Sequence, residues 1–77
     1  MRTIKLLGIK SPQSRQIESI IHEAVRHLGV NAEVIKVEDP LKFRSYNAPE
    51  TPAIVIDEIL KICGEIPSVD KVMDALT

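Results

Sequence analysis

The first apolar run, Thr3-Ile4-Lys5-Leu6-Leu7-Gly8-Ile9, is broken only by Lys5. A short continuous run of this kind predicts a strand over residues 3–9 covered on both faces. Gly8 near its end suits a bend or a close backbone approach. The period then changes. Ile17, Ile20, Ile21, Ala24, Val25 and Leu28 recur at i, i+3, i+4, i+7, i+8 and i+11, which is one stripe of an α-helix. Ser11-Pro12 opens that helix. A serine hydroxyl can accept a hydrogen bond from an orphan N–H, and proline loses nothing at the first helical position. Gly29 closes it as a left-handed C-cap. The predicted helix runs from about residue 12 to residue 28. His27 lies in its last turn, where positive charge meets the negative end of the helix dipole. His22 falls off the apolar stripe and is expected in solvent.

The remaining pattern supplies five more elements. Ala32-Glu33-Val34-Ile35-Lys36-Val37 is β-branched and reads as a second strand. Two strands joined by a helix favour a right-handed parallel βαβ unit. Asp39-Pro40 marks a cap and first residue of a short helix through about Tyr46, with Leu41, Phe43 and Tyr46 expected to cover the opposite face of the sheet. Residues 48–52 form a loop. Ala53–Ile56 and Ile59–Cys63 are short apolar strands around Asp57-Glu58, the pattern of an antiparallel hairpin. Asp-Glu is a weak turn signal, so a loop one or two residues longer is expected. After Gly64-Glu65-Ile66-Pro67, Ser68 caps a closing helix with Val69, Val72, Met73 and Leu76 on its buried side. The expected order is β-α-β-α-β-β-α. A ferredoxin-like βαββαβ alternative needs a C-terminal strand, whereas residues 68–76 carry a helical period and a serine cap.

Composition narrows the function classes. A chain of 77 residues is expected to form a single domain over 1–77. Its formal net charge is −1, with Lys and Arg scattered along the chain. That pattern argues against a nucleic-acid footprint or a polybasic membrane patch. Phe43 and Tyr46 are the only aromatics, too few for a base-stacking platform. No apolar run reaches the length of a bilayer span or of a signal h-region, so a cytoplasmic location is expected. The one cysteine, Cys63, has no internal disulfide partner, and no Cys/His cluster of zinc-site spacing occurs. No cofactor or metal is expected, and the expected state is a monomer.

A strand, an S-x-x-S at a helix start, a Thr-Pro before a strand, a hairpin followed by Gly64 and a closing helix together resemble the small thioredoxin/glutaredoxin-like proteins of archaea and bacteria. The resemblance spans nearly the whole chain. It implies an α/β thioredoxin-like fold, a four-stranded mixed sheet with helices on both faces. It also implies a thiol–disulfide oxidoreductase ancestry with protein or small-molecule disulfides as partners. The family's C-x-x-C motif is written here as Ser11-Pro12-Gln13-Ser14. Ser11 then stands at the nucleophilic position and Ser14 at the resolving one. The resemblance further implies a cis peptide bond at Thr51-Pro52 and a substrate surface formed by Pro12, Gln13, Thr51, Pro52 and Gly64. The fragment Asp39, Phe43, Tyr46, Asn47 falls near a further family pattern, with Asn47 in place of a glycine; Asn tolerates the left-handed region.

The chemistry of those positions is set by sulfur. A thiol at a helix N-terminus is held as thiolate by free N–H groups and the dipole. It attacks a disulfide, and a second thiol resolves the mixed intermediate. A serine hydroxyl forms no disulfide and is barely ionised at neutral pH. The chain as written is therefore expected to be redox-inactive, either through replacement of a C-P-Q-C motif or as a natural relative without the dithiol. Two other uses of the same place stay open: a module holding an extended peptide between Ser11-Pro12 and Thr51-Pro52, or a site for a small anion at the helix start beside Lys10. Cys63 has two readings, a small apolar residue in a strand or a lone thiol near Ser11 able to form mixed disulfides. A Ser-His-Asp hydrolase fits poorly, because His22 and His27 lie two or more turns along the same helix.

Overall fold

A computed structural model describes residues 1–77. The elements run β1 (Arg2–Leu7), α1 (Pro12–Leu28), β2 (Ala32–Val37), α2 (Pro40–Ser45), β3 (Ala53–Ile56), β4 (Ile59–Cys63) and α3 (Val69–Leu76). The sheet order is β2-β1-β3-β4. β1 and β2 are parallel, with Ile4 opposite Val34, and β1 and β3 are antiparallel, with Leu6 opposite Ile54. β4 continues antiparallel from β3. The expected β-α-β-α-β-β-α order and mixed four-stranded sheet are therefore present.

Alternation in the strands divides the core between two faces. Ile4, Leu6, Ile54, Ile56 and Ile62 point to one side, where they meet Ile17, Ile21 and Ala24 of α1 and Val72 and Leu76 of α3. All of these are buried. The other face carries the smaller cluster of Leu7, Ala53 and Val55, with Phe43 and Tyr46 of α2 packed on it. The chain's two aromatics both sit on this smaller face, and the buried core of the larger face is filled by aliphatic side chains alone.

The capping residues behave as their chemistry requires. Ser11, Asp39 and Ser68 each accept a bond from a first-turn N–H through their side chain. Gly29 adopts φ 65° and its N–H caps the end of α1. Asn47 is left-handed at φ 58°, and its N–H donates to the Arg44 carbonyl at 3.0 Å.

Three expectations are corrected. β1 stops at Leu7 rather than residue 9. The Gly8 N–H makes the last contact with β2, at Val37 O, and Ile9 is 72% exposed, because the chain must leave the sheet to enter α1. Leu41 does not cover the sheet and is 73% exposed. α2 has only six residues, and Phe43 and Tyr46, three apart, share its inner face while Leu41 falls on the outer one. The hairpin loop is no longer than Asp57-Glu58, since Ile56 pairs directly with Ile59. Both turn residues have positive φ, 50° and 70°, the conformation of the tight turns that match strand twist. Contacts to β1 hold them there. The Asp57 carboxylate accepts from Arg2 Nε at 2.6 Å and the Thr3 N–H at 3.0 Å, and Glu58 accepts from Lys5 Nζ at 2.6 Å. The extra residue appears instead as a register shift between Ile54 and Val55, opposite Lys61.

Candidate functional site

The site forms where β1 ends, α1 begins and β3 is entered. A groove of about 260 Å³ is lined by Leu6, Leu7, Gly8, Ile9, Ser11, Gln13, Ser14, Thr51 and Pro52. The antiparallel pairing of Leu7 with Ala53 brings Pro52 beside the end of β1. Gly8 faces it closely: a Cβ added at Gly8 would lie 3.8 Å from the Pro52 Cα. The Thr51–Pro52 peptide bond is cis.

Ser11 is half-buried and extended, at φ −162° and ψ 167°. Its Oγ accepts from the Ser14 N–H at 3.1 Å, and its carbonyl accepts from the Arg15 N–H at 3.2 Å. The side chain is thus engaged as a helix cap. Ser14 is half-buried one turn along, while Pro12 and Gln13 are exposed. The first turn of α1 carries no acidic residue, so the N–H-rich end of the helix faces the groove without an intrachain carboxylate nearby in sequence.

The opposite wall is the loop entering β3. Thr51 is exposed, and neither its backbone N–H nor its carbonyl makes a hydrogen bond within the chain. The Pro52 carbonyl accepts from the Gly64 N–H at 2.8 Å. The Cys63 Sγ donates to the Glu50 carbonyl at 3.3 Å. These two bonds tie the 50–52 segment to the end of β4.

The structure thus brings Ser11, Gln13, Ser14, Thr51 and Pro52 together in one groove. Pro12 stands at its rim by sequence, next to Ser11. Gly64 is outside the lining and reaches the site through Pro52. Cys63 is also outside the lining; it is half-buried, on the strand face that carries Ala53 rather than beside Ser11. His22 and His27 are exposed on α1, away from the groove. Leu6, Leu7, Gly8 and Ile9 line the groove, although the pattern of the chain did not single them out as site residues. The sequence cue for Gly8 is a glycine near the end of an apolar strand, suited to a bend or a close backbone approach.

The perturbed ionisable groups lie at the other end of the sheet. The Thr3 N–H and then the Arg2 guanidinium hold the Asp57 carboxyl below its ordinary range. Glu58 and then the Tyr46 hydroxyl, both bonded to the ammonium, raise Lys5. Lys5 also lies 4.9 Å from the centre of the Tyr46 ring. No group of three or more His, Cys, Asp or Glu side chains converges as a metal site. No helix is long and apolar enough to cross a membrane.

A mixed four-stranded sheet between two helices and a third, with a helix N-terminus facing a Thr-Pro loop, defines a thioredoxin-like protein. The sequence matches the family described as Thioredoxin domain over residues 2–77, and the chain belongs to that family. It is similar to a protein named thioredoxin from Methanocaldococcus jannaschii, 30% identical over 76 residues that cover 99% of this chain and 87% of the relative. It is also similar to a thioredoxin from Methanothermobacter thermautotrophicus, 26% identical over 77 residues, the full length of both.

Proposed function

We propose that this thioredoxin-family chain holds an extended peptide segment non-covalently in the groove between Ser11-Ser14 and Thr51-Pro52, and carries out no dithiol exchange at residues 11 and 14. The observation that supports this reading is the unpaired backbone of Thr51, exposed at the groove wall. A free N–H and C=O on one residue beside a groove accept an extended chain in the manner of strand addition. Exposed Ile9 and the half-buried Pro52 give the groove apolar surface next to it.

The redox half of the reading rests on chemistry. Exchange requires a thiolate that attacks one sulfur of a disulfide and a second thiol that releases the product. Positions 11 and 14 carry hydroxyls, and the Ser11 Oγ is already bonded to the Ser14 N–H. Family membership supports the scaffold of a thioredoxin-like oxidoreductase, and serines at 11 and 14 supply no thiol for exchange at the helix start.

The test is a titration of the unaltered chain with a reduced, carboxamidomethylated and hence unfolded protein chain, followed by amide resonances. Shifts concentrated at Gly8, Ser14, Thr51 and Ala53 are expected. In parallel, the chain is expected to add nothing to the rate at which dithiothreitol reduces a protein disulfide. Shifts elsewhere, or catalytic turnover that survives alkylation of Cys63, would overturn the reading.

A further inference from the structure

Beside the groove, Gly64 holds a left-handed conformation, φ 75°, and the Glu50 carboxylate lies over it. A Cβ at position 64 would land on that carboxylate. Glu50 is thus directed across the end of β4. The side chain has no cation: the ion pairs of the chain are Arg2–Asp57, Lys5–Glu58, Lys36–Glu18 and Lys71–Glu65. It also accepts no side-chain hydrogen bond, although Cys63 Sγ fixes its backbone carbonyl at 3.3 Å. The neighbouring acid, Glu65, is occupied by Lys71. Glu50 therefore presents the free negative charge on the β4 side of Thr51, while the apolar groove lies on the other side.

We infer that Glu50 is a specificity-determining residue, selecting peptide segments with a basic side chain next to the part that pairs with Thr51. This inference rests on the peptide-binding reading above. The Gly64 N–H is bonded to Pro52 O at 2.8 Å, which sets Gly64 beside the Thr51 edge, so a segment paired with the Thr51 N–H and C=O would run past it. Its alternate side chains point toward the groove and toward the Glu50 carboxylate. An apolar residue suits the first position and a Lys or Arg the second. An acidic residue there meets like charge, which costs binding. Gly64 keeps the strip open: any side chain at 64 displaces the carboxylate.

The experiment compares two blocked peptides, acetyl-Ser-Val-Lys-Val-Ser-amide and its counterpart with Glu for Lys, titrated into the unaltered chain, E50Q and E50K. Glu50 is exposed, so both variants are expected to fold. The unaltered chain should prefer the Lys peptide by about three- to fivefold at low salt, the scale of an exposed ion pair. The preference should shrink with added salt, disappear in E50Q and reverse in E50K. Equal binding of both peptides by all three chains, with shifts at Thr51 and Gly8, would overturn the role of Glu50 and leave the groove reading standing. No shift at Thr51 or Gly8 with either peptide would overturn both.

Discussion

Asp57 shows how a single side chain reports on the fold. It sits at φ 50° in a two-residue turn and accepts from both Thr3 N–H and Arg2 Nε. Its carboxyl is held below the ordinary value in the folded chain, first by the Thr3 N–H and then by Arg2. A depressed folded-state pKa contributes stability that is fully present above the unfolded value, near 3.9. That stability is lost as pH falls through the lower folded value. The stability gap between the unaltered chain and Asp57→Asn should therefore be constant above about pH 5 and should move against the unaltered chain at lower pH. Asn itself suits the left-handed region, so the pH slope is the readout rather than the offset. Urea denaturation midpoints from pH 6 to pH 2 check this; a gap independent of pH would show that the Arg2 and Thr3 contacts do not govern the carboxyl. Ser11 is a residue-scale case of a different kind. Its cap on Ser14 was legible in the sequence, because Ser-Pro before an apolar stripe has a local physical meaning.

At the scale of elements, α1 carries the larger core. Ile17, Ile21 and Ala24 are fully buried against β1, β3 and α3. Ile21→Ala is expected to cost about 2–5 kcal/mol, a large part of the roughly 4–12 kcal/mol available to a domain of this size. Leu41→Ala, at a side chain 73% exposed, should fall within about 0.5 kcal/mol of the unaltered chain. Chemical denaturation of both variants decides the matter; similar costs would mean that α2 packs more deeply than its exposed outer face indicates. The contrast explains why α1 was easy to read and α2 was not. Seventeen residues repeat the stripe several times. Six residues leave the inward face to be chosen by the sheet beneath.

For the whole molecule, the question is whether the scaffold still holds two groups in redox geometry. Ser11 and Ser14 stand on one turn of a helix whose N-terminus faces Pro52 across the groove. A Ser11→Cys/Ser14→Cys variant is expected to show one reversible two-electron transition in dithiothreitol buffers. Two thiols are oxidised to an intrachain disulfide as oxidised dithiothreitol is reduced. The unaltered chain, with Cys63 alone, should show no intrachain transition. Free-thiol counts across the redox series check this. No transition in the variant would mean that the groove has departed from dithiol geometry.

The sequence by itself determined the elements whose signals are local. The caps at Ser11, Asp39 and Ser68, the αL stop at Gly29, the apolar stripe of α1 and the strand pair around Asp57-Glu58 each follow from a few neighbouring residues. The family pattern supplied the mixed four-stranded sheet and the place of the groove, while the strand order β2-β1-β3-β4 came from the tertiary structure. Only the tertiary structure decided where contacts between distant segments compete with local preference. β1 gives up Ile9 so that the chain can cross to α1. Asp57 and Glu58 take a tight turn because Arg2, Thr3 and Lys5 hold their carboxylates. Cys63 faces the Ala53 side and bonds to Glu50 O, since strand register assigns its face. Glu50, in the loop before β3, lies over Gly64. Its position depends on two strands and a loop meeting at Pro52, and no periodicity along the chain encodes that meeting.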